Sequence, residues 1–535
     1  MLKALDFDEV TVYGDLAHRI LRNIARLESP MYRPPKIFKD ALVNWPGDFA
    51  GRTLLALVLT ARASGREPAY IGEILDNLEQ MLETNGYLGE KLPEGQFDEQ
   101  QLSGHNWLTR GLMEHYLWKK CEKSLKLAKR IIKELYLPLA SAYEKYPINT
   151  RDSFFVGEAE GKLTGEYSDG WHLSSDIGCA FMCFDALGQA YSELGMAELY
   201  PLLSEMHNKF MCIDFQGLYM QTHATLSCTR GILSLYMGSK DERFLNDAVK
   251  IFQMYLDSAI NEAYGNYNWF SRPKSWTEPC AIVDSAMIAA QLFGITKQTV
   301  YLEWLHKIYY NALVYAQRPS GGFGCDLEAG ADTCFTGVYS EPMAEAFWCC
   351  TMRGGEGLSR MAQYTAFYDS DTLYIAFYQP AIINTCGVRA RIKTAFPENG
   401  DISIDIALNG KPGLSHLAFY IPSYATDAEV CGPTQATKRD GWLVAPLVTG
   451  MYRLSFTIPL ICLPTADRHI NGRTLSHGYL ILGAKTEEAI SVDDKNLAHI
   501  GDCKYKSDGQ LELEPLSTML EIDNYVCDKR QIVFI

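Results

Sequence analysis

No run of eighteen apolar residues occurs in this 535-residue chain, which excludes a uniformly hydrophobic membrane-spanning helix. The opening residues, Met-Leu-Lys-Ala-Leu-Asp-Phe-Asp-Glu-Val, carry acids and no apolar h-region, so no export signal is expected. Positive charge is scarce: 49 Lys and Arg stand against 65 Asp and Glu, a net charge of −16. Nucleic acid and anionic membrane surfaces would be repelled by that field. No sequence repeat of fixed period is visible, which argues against a solenoid. Paired CxxC knuckles are missing too, so the common structural zinc pattern does not apply.

What is present is the composition of a soluble globular protein, 47% apolar and 21% charged. The length holds a large domain with one or two smaller ones. The 31 Tyr, 23 Phe and 9 Trp are mostly core residues, but some could stack on a neutral ligand such as a sugar. An odd count of 15 Cys in irregular spacing fits reduced thiols in a cytoplasm better than a disulfide framework.

The chain has two textures. Up to about residue 365 apolar residues recur at three-four spacing, in 15–28, 49–64, 69–84, 101–119, 122–136 and 175–194. The pattern continues in 197–211, 222–237, 241–260, 280–293, 297–317 and 354–365. About a dozen helices with no β-rich block between them fit an (α/α)6 toroid. After Phe367 the segments become short and β-branched or aromatic (372–378, 381–386, 388–394, 401–408, 417–421, 442–446, 452–458, 479–482 and 531–535), bounded by Gly, Pro, Asn and Asp. The expected fold is multidomain α+β, with a helical domain over 1–366 and a β-sandwich region over 367–535. Residues 8–14 are a candidate strand joining the β region.

Two short clusters carry the chemistry. Glu278-Pro279-Cys280 and Cys349-Cys350 together supply three sulfurs and one carboxylate, a complete tetrahedral set for zinc. Pro279 suits the first turn of a helix, so Cys280 falls where the helix dipole favours a thiolate. The adjacent pair suggests that one sulfur does more than hold metal. Against this, a chain with 15 Cys easily contains an adjacent pair by chance, and spacing alone leaves both readings open. Glu262 lies sixteen residues before Glu278 and could donate a proton to a leaving group; a Glu at a helix end is also commonly just solvated. His223, His105, Trp107 and Asp176 lie near helix starts, where toroid loops line a central cavity. Each is a candidate substrate contact, with capping or packing as the bland alternative.

Taken together these fragments resemble the β-L-arabinofuranosidases of glycoside hydrolase family 127 and the related family 146. The matching pieces are Thr222-His223-Ala224, then Glu262-Ala263-Tyr264, Glu278-Pro279-Cys280 and Cys349-Cys350, in that order. Cys349-Cys350-Thr-Met-Arg-Gly-Gly-Glu356 is similar to the family 146 form. Trp45-Pro-Gly-Asp-Phe-Ala-Gly-Arg52 looks like the opening of the barrel. The resemblance implies Zn²⁺ held by Glu278, Cys280, Cys349 and Cys350, with Cys349 as nucleophile, Glu262 as acid/base and His223 on the substrate. It implies a retaining exo-hydrolase that releases terminal β-L-arabinofuranosyl residues from plant-derived oligosaccharides. The sequence departs from the family at Phe347, where some members carry a further Cys, and at Asp257-Ser-Ala-Ile-Asn261, where some are Gly-rich. Its shorter length implies a lost β domain or trimmed loops.

The alternatives are the same zinc site acting on another sugar, and a zinc-stabilised carbohydrate-binding protein without turnover. The expected partner is a small carbohydrate, not nucleic acid or membrane. Homo-oligomerisation stays open.

Overall fold

The computed structural model describes residues 1–39, 44–148, 163–327, 333–338, 344–410, 412–465, 472–486, 488–507, 511–518 and 530–535. In the first 363 residues, two kinds of helix alternate along the chain. Asp48–Ser64, Glu99–Lys119, Phe184–Glu193, Thr222–Ser239, Pro279–Thr296 and Cys350–Gln363 are buried over most of their circumference. Gly14–Leu27, Ile71–Met81, Glu122–Ile131, Tyr200–Phe210, Glu242–Ser258 and Val300–Lys307 bury one side. A one-sided apolar stripe belongs to an outer helix and all-round burial to an inner one. Each inner helix contacts the next in sequence, and Cys350–Gln363 returns to Asp48–Ser64, so the inner set closes on itself.

Small residues set that closure. A Cβ at Gly51 would lie 2.1 Å from the backbone nitrogen of Leu108, and one at Gly188 would lie 2.5 Å from the carbonyl oxygen of Gly231. At both crossings backbone meets backbone, which any side chain would prevent. Pro279–Thr296 is apolar enough for its length to resemble a membrane span, with mean hydropathy 1.4, but 83% of it is buried in the protein. It is a core helix.

Three expectations fail locally. A three-stranded sheet of Phe97–Asp98, Trp171–Ser174 and Leu163–Ser168 lies within the helical part, where no β structure was expected. The helix expected over 175–194 begins at Phe184, because Gly178 at φ 89 starts a separate 3-10 turn, Cys179–Phe181. The expected 122–136 and 297–317 helices widen into π turns at Ile132–Tyr136 and Ile308–Leu313.

The last long helix ends at Gln363 and a run of strands starts at Ala366. One six-stranded sheet runs Lys3–Ala4, Ala366–Tyr368, Thr372–Ile375, His416–Tyr420, Trp442–Pro446, Thr437–Arg439. The other runs Glu429–Cys431, Gly450–Ser455, Ile402–Leu408, Val388–Thr394, Ala381–Thr385, Val10–Val12. The amino terminus therefore adds an edge strand to each sheet. Alternating burial along Val388–Thr394 and Ile402–Leu408 turns one face inward. The sheets meet through Phe419 and Tyr452, whose rings are 5.8 Å apart. The helical part docks on the strands at His306, stacked on Tyr420 and Tyr479 at 5.3 and 5.0 Å. A third sheet pairs Arg530–Gln531 with Phe335–Val338 and Leu480–Lys485, bringing the chain end back to the loop that precedes Cys349.

Candidate metal and catalytic site

Two inner helices begin at the same place. Glu278 precedes Pro279–Thr296 in extended conformation, Pro279 occupies the first turn, and Cys280 follows within it. Cys349 precedes Cys350–Gln363. These helices pack closely, since a Cβ at Gly357 would lie 2.7 Å from Val283, and so their amino termini converge. The ligand atoms of Glu278, Cys280, Cys349 and Cys350 all lie within 4.8 Å of one another. Sγ of Cys280 is 3.7 Å from Sγ of Cys350, which is 3.3 Å from Sγ of Cys349. The partial positive charge of two helix starts favours anions there.

Burial opposes the ionisation of most of this cluster. Burial pushes Glu278 well above the carboxylate range, and Cys280 and Asp176 add to the push. Burial likewise raises Cys280 and Cys350. Cys349 goes the other way: hydrogen bonds from Cys280 and Cys350 hold its thiol down at about 7. The least buried of the three sulfur-bearing residues is thus the most readily ionised. The four side chains could together hold a cation, and only such a charge would let the raised members ionise.

Arg52 supplies one fixed positive charge. Its Nε donates to both oxygens of Asp48 at 2.9 Å, and its Nη1 reaches Sγ of Cys280 at 3.6 Å. Burial alone would weaken this guanidinium, but Asp48, Cys280 and Cys349 hold it charged. The same guanidinium lies 4.2 Å from the ring of Trp107, with that of Arg353 at 4.5 Å. His223 stacks on Trp107 as well, 5.5 Å between centroids and 12° between planes.

His223 opens the Thr222–Ser239 helix beside this indole. Its Nδ1 meets Oδ2 of Asp284 at 2.8 Å, and Nε2 is buried without a partner among the described residues. Burial pushes the imidazole below its ordinary pKa, against the pull of Cys280 and Asp284. Asp176 lies close enough to raise Glu278. Burial, with Glu99 next, pushes its own carboxyl to about 7.

His105 does not share this setting. Nδ1 meets the Gln101 carbonyl at 2.8 Å, and Nε2 accepts from the Leu88 amide at 2.9 Å. With both nitrogens committed to backbone and no exposed surface, His105 holds a loop against its helix and offers no ring atom to a ligand. Trp107 is also fully buried; it is a platform beneath Arg52, Arg353 and His223. Glu262 sits in a tight turn between Ile260 and Asn266. Asn261 Oδ1 accepts from the amides of Ala263 and Gly265, and its Nδ2 donates to Oγ1 of Thr277.

Several charged residues of the site carry no sequence signal of their own. Asp284 accepts from Arg230 at 2.9 Å and from Arg353, while Arg110 pairs with Asp185 at 3.1 Å and Glu356 at 2.8 Å. Arg353 and Glu356 fall in the Cys349–Glu356 stretch noted above, and the others could have been found only as polar interruptions in otherwise apolar inner helices. Cys325 is a further buried thiol, near enough to Cys350 to help push its thiol up.

A family model described as the catalytic domain of β-L-arabinofuranosidase, GH127, matches residues 76–363. Among solved structures, one titled a GH127 β-arabinofuranosidase aligns over 100% of this chain and 97% of its own, at 12% identity and TM-score 0.70. A GH127 β-L-arabinofuranosidase from Geobacillus stearothermophilus T6 aligns over 98% and 99%, at 12% identity and TM-score 0.69. At that identity the likeness is one of fold. Coverage of nearly the whole of both chains corrects the expectation that a β domain is missing. The likeness of the Cys349 stretch to family 146 stays a resemblance of sequence. No curated protein matches the chain.

Proposed function

The chain belongs to the β-L-arabinofuranosidase family GH127 and is a glycoside hydrolase, and from that premise we propose that it releases terminal β-L-arabinofuranosyl residues with retained configuration. Short plant-derived oligosaccharides are the substrate class. The observation that carries the reading is the convergence of Glu278, Cys280, Cys349 and Cys350 within 4.8 Å. The closed set of inner helices with its alternating outer layer supports an (α/α)6 toroid, and the two six-stranded sheets support a β-sandwich after it. The unpaired state of every described cysteine suits a reducing cytoplasm.

The donor set fits zinc. Three thiolates and a carboxylate are its preferred ligands, and a tetrahedron with Zn–S of ~2.3 Å has S···S edges of ~3.8 Å. The Cys280–Cys350 separation of 3.7 Å is close to that edge. Zinc held by Glu278, Cys280, Cys349 and Cys350 would keep the thiols ionised at neutral pH and stabilise sulfur as a leaving group.

The residues then divide the reaction. Sγ of Cys349 attacks the anomeric carbon as the bond to the leaving oxygen breaks, and the Glu262 carboxyl gives that oxygen its proton. A thioglycosyl intermediate remains on Cys349. The Glu262 carboxylate takes a proton from water, whose oxygen attacks the same carbon, and the C–S bond breaks to restore the thiolate. Two displacements give retention. His223 supports the sugar through Nε2, with Asp176 as a further polar contact.

The test is release of p-nitrophenol from its β-L-arabinofuranoside by wild type, Cys349→Ser and Glu262→Gln, alongside metal content. Turnover by wild type with loss in both variants is expected. One zinc per chain without turnover points to another sugar or to a binding protein. Absence of both zinc and turnover would overturn the zinc–thiolate mechanism.

A further inference from the structure

We propose that Asp284 is the positioning residue for His223: it fixes the imidazole tautomer so that Nε2 presents a lone pair to a hydroxyl of the bound sugar. This rests on the reading of His223 as a substrate contact and adds to it the direction of the hydrogen bond.

The geometry leaves one arrangement. Both oxygens of Asp284 are surrounded by donors: Arg230 and Arg353 on Oδ1, Ser227 Oγ and His223 Nδ1 on Oδ2, the last two at 2.8 Å. Burial would raise this carboxyl, yet Arg353, the His223 hydrogen bond and Arg230 hold it well below the usual range. It is therefore an acceptor only, and the nitrogen facing it must carry the proton. In a neutral imidazole the other nitrogen is then bare. Nε2 is buried and has no partner among the described residues; a neutral acceptor in a sugar site meets an O–H donor.

Asp284 can impose this because of where it stands. It lies one turn beyond Cys280 on the Pro279–Thr296 helix. His223, Ser227 and Arg230 come from the Thr222–Ser239 helix, and Arg353 from the helix that Cys350 begins. One carboxylate thus sets the register of three helices, each carrying a group of the candidate site. Trp107 lies stacked over the face of the ring and restricts its turning. Such over-determination is what locks a contact in place for function.

The tautomer is read directly by long-range ¹H–¹⁵N NMR on histidine-labelled protein, with His223 assigned by its loss in His223→Gln. Wild type is expected to show a protonated Nδ1 and a bare Nε2. A protonated Nε2 overturns the inference without any variant, and so decides it even if Asp284→Asn does not fold. In Asp284→Asn, whose amide can donate as well as accept, the proton is expected to move toward Nε2, as when the triad Asp of serine proteases is replaced by Asn.

Kinetics provide the second readout. Asp284→Asn and His223→Ala are each expected to lower kcat/KM by about 100-fold, the order of effect of misplacing a contact. The double variant is expected to be no worse than His223→Ala alone, because Asp284 acts through His223. Losses that multiply would show a merely structural role and overturn the proposal. Absence of wild-type turnover on the arabinofuranoside would count against that sugar as the substrate, while the NMR result would still settle Asp284.

Discussion

Asn261 donates from Nδ2 to Oγ1 of Thr277 at 2.9 Å, and so ties the neighbour of Glu262 to the neighbour of Glu278. The Thr277 hydroxyl donates in turn to the carbonyl of Asn266 at 2.9 Å, closing the turn from its other end. Thr277 is in turn bridged to Asp326. The proposed acid/base and a proposed metal ligand, sixteen residues apart in sequence, are thereby held on one backbone frame. A general acid works only at a fixed distance from the bond it protonates, which gives this polar clasp a functional consequence.

Asn261→Ala removes the clasp and strands the amides of Ala263 and Gly265, at a cost of about 1–3 kcal/mol. Activity is expected to fall about tenfold while the fold persists. Steady-state kinetics beside a thermal melt check this, and unchanged kcat/KM would disconnect the turn from catalysis.

Glu262→Gln keeps the size of the side chain and removes the proton. Loss of general acid/base catalysis is expected to lower kcat by roughly 10²–10⁴-fold. The loss should be smaller for aryl glycosides of acidic phenols, whose leaving oxygen needs little protonation. A leaving-group series comparing variant with wild type measures this, and equal sensitivity in both would remove Glu262 from the role.

Chelation tests the metal independently of activity. Removing a cation from the Glu278–Cys280–Cys349–Cys350 cluster leaves acidic groups crowded in a buried pocket. Stability should fall, because metal affinity adds to folding free energy. Calorimetry before and after prolonged chelation, with thiol titration, is the measurement. The expected result is a lower melting temperature with the cluster thiols newly reactive, and an unshifted melt would exclude a metal built into the core.

Acid should weaken the fold before most carboxylates titrate. His105 and His306 are fully buried, and burial lowers both to about 4 from 6.5. Below 6.5 the unfolded chain takes up protons that the folded chain refuses. Stability is therefore complete above 6.5 and is lost as pH falls toward 4, by about 3 kcal/mol per residue as an order of magnitude. Denaturant titrations across that window check the slope, and His105→Gln should make it shallower.

Gly51→Ala should destabilise more than its single methyl suggests. The added carbon would fall 2.1 Å from the backbone nitrogen of Leu108 and 2.5 Å from its Cα. Two inner helices would have to part, at a cost of about 1–3 kcal/mol or more. A thermal melt reads the effect, and a neutral result would mean that the helices slide apart freely.

Much of this protein was legible along the chain. Three-four spacing located the helices because burial of a stripe must follow the 3.6-residue turn. The change of texture after Phe367 marked the strands because alternation follows the pleat. Glu278, Cys280, Cys349 and Cys350 could be singled out because Cys and Glu are among the few side chains that ligate metals, but spacing alone left chance open and the resemblance in motif order selected them. His105 was misread, since sequence shows a histidine but not that Leu88 and Gln101 occupy both its nitrogens. Asp284 carries no mark of its own, because a charged residue in a helix looks the same facing water as facing a buried partner, and Arg52 and Arg353 stood in family-like stretches with nothing to tell their role. The sequence by itself determined which groups can ionise, ligate and attack, since these are properties of the side chains. Only the tertiary structure decided which of them meet, because the contacts join inner helices far apart in the chain. Cys349 is held low by Cys280, and His223 is aimed by Asp284, through distances that no local rule encodes.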